Sequence, residues 1–192
     1  MAQPAAVAHM TYAEYLELER SSDIKHEYLR GEVIALAGGT PEHSRLAANV
    51  IGELRTALSG RPCVVFTSDA RVRIEATDRA TYPDVTVVCE RLEHAADDRD
   101  AITNPVVIVE VLSDQTEADD RGEKFAHYRR LASLREYVLV SQRTTRIEVY
   151  RRQGLAWVFS EAAAGQALAL ESLGVTLSVD EIYRDPLAVS GA

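Results

Sequence analysis

The stretch that decides the fold is Val106-Val-Ile-Val-Glu-Val-Leu-Ser113, with Glu110 at its centre. Its apolar residues are continuous rather than alternating, which is typical of a strand buried on both faces of a sheet. Such a strand must be covered on each side by other elements. We therefore expect an α/β (α+β) domain built on a mixed β-sheet flanked by helices.

The residues before this strand carry clear local signals. Thr11 and Glu14 form a capping-box pattern that predicts a first helix. Two β-prone runs around Arg30-Gly31 predict an N-terminal hairpin, and Thr40-Pro41-Glu42 predicts the start of a long second helix. The predicted elements are a helix 11–20, a hairpin 25–36, a helix 41–59 and strands 63–67, 71–74 and 82–89, then a loop or short helix 90–103.

After the buried strand, residues 117–131 predict one continuous helix with Phe125, Tyr128 and Leu131 on its apolar side. Strands are predicted at 136–140 and 146–150, and residues 154–192 predict short strands, turns and a helical turn near 180–183. The motif-bearing part therefore has the order α-β-β-β-α-β. We expect one domain at 11–183, with a flexible N-terminal tail at 1–10 and a C-terminal tail at 184–192.

Composition limits the function classes. The chain has 192 residues, 46% of them hydrophobic, and a formal net charge of −9. This charge disfavours a general nucleic-acid binder, which usually shows a basic excess, although metal ions can neutralise carboxylates at a phosphate site. No apolar run approaches the roughly 18 residues of a membrane span and no signal peptide is evident, so a cytoplasmic location is expected. Cys63 and Cys89 are expected to be two buried thiols in a reducing compartment.

Glu110 is the most informative candidate site residue. A carboxylate in the middle of a strand buried on both faces is costly unless it is paired or binds a metal ion. The alternative is an ion pair with a buried arginine. Because the strand is otherwise apolar, the charge favours a functional role.

Asp84 follows Pro83 and opens the run Val85-Thr-Val-Val-Cys89. By itself it would be interpreted as a turn aspartate at the start of a strand. Together with Glu110 on another strand, it could bind one hard cation such as Mg²⁺, which prefers oxygen ligands.

Lys124 is the third candidate. It could form a surface pair with Asp120 four residues earlier in the predicted helix. Placed beside a metal ion instead, its ammonium would orient the attacking water and offset charge in a phosphoryl transition state.

These residues lie in stretches that resemble the Uma2 family of bacterial proteins, within the PD-(D/E)XK restriction-endonuclease-like superfamily. The resemblance runs from about Thr11 to Tyr183. One departure is that the superfamily motif would place a lysine at position 112, where Leu112 stands, so the lysine's role is assigned to Lys124. The matching stretches are 26–28 with 31–32, 41–43, 82–85, 109–113, 120–128 and 134–140.

The resemblance implies a metal-dependent endonuclease that hydrolyses DNA phosphodiester bonds. Asp84, Glu110 and the Val111 carbonyl would hold Mg²⁺, with Mn²⁺ as a substitute, and Lys124 would position the nucleophile. A homodimer is expected, because two sites related by a two-fold axis cut both strands of a duplex most simply.

Glu27, Glu42 and His43 are further candidates that could complete the site, and Glu27 is included among the catalytic residues. Each also has a plain interpretation, as a surface hairpin residue or as a polar residue in the first turn of a helix. Two rival functions remain open. One is a binding or assembly protein that keeps the nuclease fold without cleaving DNA. The other is a metal-free glycosidase that uses Asp84 and Glu110 as an acid/base pair.

Overall fold

A computed structural model describes residues 9–188 of the chain. The tails expected at 1–10 and 184–192 therefore lie in part outside the described residues, at 1–8 and 189–192. Met10, at the end of the expected N-terminal tail, donates its backbone N–H to the Gly31 carbonyl at 2.9 Å. None of the helices within residues 9–188 is both long and apolar enough to cross a membrane.

The structure alternates helices with short strands in an order close to the predicted one. The helices are α1 (Tyr12–Ser21), α2 (Pro41–Ala57), α3 (Glu117–Asp119), α4 (Phe125–Tyr128) and α5 (Val179–Tyr183). The strands are β1 (His26–Leu29), β2 (Glu32–Ala35), β3 (Cys63–Thr67), β4 (Arg71–Ile74), β5 (Arg79–Thr81), β6 (Val85–Cys89), β7 (Ala101–Ile102), β8 (Val107–Leu112), β9 (Glu136–Ser141), β10 (Arg146–Gln153), β11 (Ala156–Ala163), β12 (Ala167–Leu170) and β13 (Val175–Ser178).

The largest sheet has six strands in the order β11-β10-β9-β8-β6-β3. The strands β8 and β9 are parallel, whereas β6 pairs with β8 and with β3 in antiparallel fashion. All six residues of β8 are buried. The predicted mixed sheet with a fully buried strand is confirmed.

Two hydrophobic clusters cover the two faces of this sheet. On one face α2 packs through Leu46, Val50 and Leu54, together with residues of β12, β13 and α5. On the other face Phe125 and Tyr128 of α4 pack against β8 and β9. Because helices cover both faces of the sheet, apolar residues occupy every position of β8 except that of Glu110.

A second sheet, in the order β2-β1-β5-β4-β7, carries the N-terminal hairpin. Helix α1 packs on it through Tyr12, Tyr15 and Leu16. The predicted capping box of α1 and the predicted hairpin are both observed. Strands β5 and β7 were not predicted, because two or three residues give too little pattern and their pairing with distant strands creates them.

The helix predicted over 117–131 is not continuous. Between α3 and α4 the chain forms a π-helical turn, Asp120–Lys124, and α4 ends at Tyr128. Gly122 lies inside this turn, where the lack of a side chain eases departure from α-helical geometry. Residues 117–128 are called the site helix below.

The expectation of two free thiols is wrong, because Cys63 and Cys89 form a disulfide. The antiparallel register of β3 and β6 places these residues directly opposite each other. The neighbouring backbone hydrogen bond runs from Glu90 N to Pro62 O. The cysteines therefore occupy a non-hydrogen-bonded pair, the position at which side chains on adjacent antiparallel strands lie closest.

Truncation of the α2 core should be costly. Leu54 is fully buried in the main cluster, so Leu54→Ala should lower the free energy of unfolding by about 2–5 kcal/mol. Urea denaturation measures this change. Leu155→Ala, at a fully exposed leucine, is the matched control and should change stability by less than about 0.5 kcal/mol. Equal losses in the two variants would contradict the assigned core.

Candidate active site

The structure brings Asp84 and Glu110 together at the start of β6 and the middle of β8. The antiparallel register pairs Val85 with Val109, so Asp84 and Glu110 occupy the next position of the ladder. The Asp84 Oδ2 atom accepts a hydrogen bond from Val111 N at 2.7 Å, and Glu110 Oε2 accepts one from Asp84 N at 3.4 Å. Each carboxylate therefore contacts the backbone beside the other.

Glu110 is the more deeply buried of the two carboxylates. Its Oε1 atom accepts a hydrogen bond from the Tyr128 hydroxyl at 2.8 Å and lies 3.4 Å from Lys124 Nζ. Burial raises the pKa of Glu110 to about 8 against the lowering effect of Lys124, and the charges of Asp120 and Asp84 raise it further. Within the described residues neither Glu110 nor Asp84 is paired with an arginine.

His43 reaches the pair from the first turn of α2. The Thr40 side chain caps this helix by accepting from His43 N, and Pro41 begins it. Because α2 begins at Pro41, His43 lies in its first turn, with Nε2 at 3.2 Å from Asp84 Oδ2. The hydrogen bond with Asp84 raises the pKa of His43 against the effect of burial, and hydrogen bonding to the Val111 backbone adds to the rise. The side chains of His43 and Asp84 are 19% and 16% exposed, so this side of the site is open to solvent.

Lys124 is buried and shared among three carboxylates. Its Nζ atom lies 3.0 Å from Asp120, 3.4 Å from Glu110 and 3.5 Å from Glu27. Burial alone would lower the pKa of Lys124, but the charges of Glu110, Glu27 and Asp120 hold it well above its usual value. The pair with Asp120 therefore exists, but it is internal rather than on the surface.

Glu27 also lies in this interior and not on the surface of the hairpin. Arg79 donates to its Oε2 atom at 3.0 Å, and the Thr81 hydroxyl donates to Oε1. Although burial opposes ionisation, Lys124, Arg79 and Thr81 together lower the pKa of Glu27. Its carboxylate is thus already engaged with Arg79, Thr81 and Lys124.

Glu42 does not join the group. Its carboxylate pairs with Arg45 on the next turn of α2, at 2.6 Å. A glutamate in the first turn of a helix is favoured by the helix dipole, and this plain interpretation describes the observed contact.

Three residues that complete the cluster were missed or undervalued in the sequence. Tyr128 was assigned only to the apolar side of its helix, Asp120 only to a surface pair, and Arg79 lies in the unpredicted strand β5. The four-residue spacing of Asp120, Lys124 and Tyr128 was the available signal, since residues at this spacing share a helix face.

The charge of the cluster suits a divalent cation. Among residues 9–188, Lys124 pairs with Glu27, Glu110 and Asp120, Arg79 pairs with Glu27, and Asp84 has no lysine or arginine partner. Burial is the largest cause that raises the pKa of Asp120, and the charge of Asp84 raises it further against the lowering effect of Lys124. Carboxylate and carbonyl oxygens are the donors that Mg²⁺ prefers, so the residues present fit such an ion.

No three His, Cys, Asp or Glu side chains within residues 9–188 form a ready-made metal-binding group. Any cation at Asp84 and Glu110 would therefore take its remaining ligands from backbone and water. Mg²⁺ typically binds in this way, through one or two carboxylates and several retained waters.

Comparison with known proteins identifies the family. The model of the Uma2 family, described as "Putative restriction endonuclease", matches residues 12–180. The chain belongs to the Uma2 family. The match includes every candidate residue considered above and the whole site helix.

Two relatives come from Synechocystis sp. (strain ATCC 27184 / PCC 6803 / Kazusa). The uncharacterized protein slr1290 is 36% identical over 172 residues, which cover 89% of this chain and 90% of that protein. The uncharacterized protein sll1609 is 36% identical over 153 residues, which cover 79% of this chain and 86% of that protein.

A crystal structure from Anabaena variabilis ATCC 29413, described as a putative nuclease belonging to DUF820, has a similar fold. It superposes with a TM-score of 0.74 and 18% sequence identity, over 91% of this chain and 97% of that one. At this identity the similarity concerns the fold, and it confirms the predicted nuclease-type architecture.

Removal of the buried lysine should destabilise the protein without any metal present. Lys124→Met leaves three buried carboxylates without their shared cation and should cost about 3–5 kcal/mol at pH 8. Glu110 and Asp120 already have raised pKa values, so proton uptake should relieve part of the cost at pH 5.

Urea denaturation in EDTA at the two pH values measures both effects. Lys25→Met is the control, because its pair with the exposed Asp69 should contribute less than about 1 kcal/mol. A loss in Lys124→Met that is no larger than in this control would contradict the role of Lys124 as the shared cation.

Proposed function

We propose that this chain is a metal-dependent endonuclease that hydrolyses phosphodiester bonds of DNA. Asp84 and Glu110, with the Val111 carbonyl, would hold Mg²⁺, and Mn²⁺ would substitute for it. The observation that carries the proposal is the pair of hydrogen bonds between the two segments: Glu110 accepts from the Asp84 backbone, and Asp84 accepts from the Val111 backbone next to Glu110. Membership of a family described as "Putative restriction endonuclease" supports the same reaction class.

When bound, Mg²⁺ would supply a Lewis acid that polarises the scissile phosphate and activates water. The chain's own residues would do the remaining work. Asp84 lies toward solvent and Glu110 lies beneath it, so the phosphodiester would enter from the side of His43. Burial of Glu110 excludes bulk water from the inner side, which strengthens the electrostatic interactions there.

Lys124 and His43 would both interact with the entering phosphate. The Lys124 ammonium remains protonated at neutral pH because three carboxylates surround it, so it can stabilise charge that develops during the reaction. His43 contacts Asp84 and is the more exposed of the two, so it can donate a hydrogen bond to a phosphate oxygen. Glu27 would act on Lys124 and not on the substrate.

The partner would be DNA, bound by a homodimer. The net charge of −9 makes non-specific binding by one subunit weak, and two subunits would add their modest basic surfaces together. A dimer would also present two sites to the two strands of a duplex.

Cleavage of supercoiled plasmid tests the proposal. The wild-type protein should nick it in Mg²⁺ or Mn²⁺ and not in EDTA. Asp84→Asn and Glu110→Gln each remove one ligand charge and should lower the rate by at least about 100-fold. Gel electrophoresis of the nicked and linear products measures the rate.

Glu136→Gln is the matched control, because Glu136 is a buried carboxylate that pairs with Arg151, outside both the cluster and the site helix. It should nick at the wild-type rate, provided that its thermal unfolding shows a folded protein. Equal rates for wild type, Asp84→Asn and Glu110→Gln would refute the enzyme and leave the alternative, a non-catalytic binding or assembly protein with a nuclease fold.

A further inference from the structure

Tyr128 is a buried residue whose hydroxyl donates a hydrogen bond to the ionisable side chain of Glu110. The residue ends α4 and is fully buried. Its ring packs beside Tyr137, with 5.3 Å between centroids, and its hydroxyl donates to Glu110 Oε1 at 2.8 Å. A phenylalanine would fill almost the same volume, so the hydroxyl is the part of this side chain that packing does not require.

The two oxygens of Glu110 have different neighbours. Oε1 faces the site helix, where it meets Tyr128 and Lys124. Oε2 faces the other way, toward the backbone of Asp84. A donor that fixes Oε1 therefore also fixes the direction in which Oε2 points, which is the direction of the proposed cation.

Lys124 cannot fix this orientation alone. Its ammonium is shared with Asp120 and Glu27, and its distance to Asp120, 3.0 Å, is shorter than the 3.4 Å to Glu110. Tyr128 offers one O–H on a ring held by its neighbours. The Tyr128 hydroxyl is therefore closer to Glu110 than the Lys124 ammonium is, and it is not shared with other carboxylates of the cluster.

The π-helical turn explains why Asp120 lies on the same face of the site helix as Lys124 and Tyr128. In an α-helix each four-residue step overshoots a full turn by about 40°, so Asp120, Lys124 and Tyr128 would spread over about 80° of the surface. A π-helical turn contains more residues per turn. The four-residue step from Asp120 to Lys124 then falls short of a full turn and offsets the overshoot of the next step.

We propose that Tyr128 is the positioning residue of Glu110, which holds the carboxylate so that Oε2 faces the divalent cation. This inference rests on the proposed function, because it assigns Tyr128 to the metal site of the same nuclease. Tyr128 touches neither substrate nor metal and acts through Glu110.

A double-mutant cycle in EDTA tests the contact without metal or activity. Tyr128→Phe should raise the equilibrium constant for urea unfolding by about tenfold in the wild-type background, as expected for the loss of a buried hydrogen bond. In the Glu110→Ala background the same substitution should change it by less than about threefold. Equal effects in both backgrounds would overturn the inference.

Mn²⁺ titration by calorimetry tests the positioning itself. The Kd of Tyr128→Phe should rise by about tenfold or more, the usual consequence of losing a partner that orients a metal ligand. Tyr15→Phe is the matched control. It also removes a buried hydroxyl, one that donates to the His26 carbonyl in the cluster around α1, and it should keep the wild-type Kd.

The outcomes separate the two claims. Equal Mn²⁺ affinities for wild type and Tyr128→Phe would overturn the positioning role and leave the metal site intact. Absence of Mn²⁺ binding by the wild-type protein would overturn the proposed metal site, and the inference with it. A higher Kd for Tyr128→Phe together with an unchanged Kd for Tyr15→Phe would support both the metal site and the positioning role.

Discussion

The carboxylate of Glu110 sits in the middle of an apolar strand that is buried on both faces, and the architecture around it responds to that cost. Burial raises the pKa of Glu110 to about 8 even though Lys124 and the Tyr128 hydroxyl lower it, so at neutral pH the carboxyl group ionises fully only when further positive charge approaches. The site helix supplies Lys124 and Tyr128 from one side. The start of β6 supplies Asp84, a second negative charge, from the other side. A cation between the two carboxylates would neutralise negative charge that the protein's own positive groups leave unbalanced.

Much of this arrangement could be predicted from local sequence. The unbroken run Val106–Ser113 predicted the buried central strand, and the Thr40-Pro41 signal predicted the start of α2 that places His43 beside Asp84. Asp84 and Glu110 are candidates because charged residues in or beside apolar strands need a reason, and the resemblance to the Uma2 family adds Lys124 from the following helix. The domain limits, the cytoplasmic location, the homodimer and the metal stay predictions.

The features that could not be predicted depend on contacts between distant residues. The three-residue strand β5 exists through its pairing with β1 and β4, and it brings Arg79 to Glu27. The disulfide depends on the register of β3 and β6, which the spacing of Cys63 and Cys89 does not reveal. The hydrogen bond from Tyr128 to Glu110 depends on how the site helix packs against β8, which the apolar pattern of the helix does not reveal.

The most direct measurement is the position of a divalent ion in crystals of the wild-type protein grown with Mn²⁺. Anomalous diffraction locates Mn²⁺ independently of any assumption about mechanism. The account predicts an anomalous peak within ligand distance of a carboxylate oxygen of both Asp84 and Glu110, and no such peak in crystals of Glu110→Gln. Density for a well-ordered site with both carboxylates and no peak between them, or a peak bound elsewhere on the protein, would contradict it.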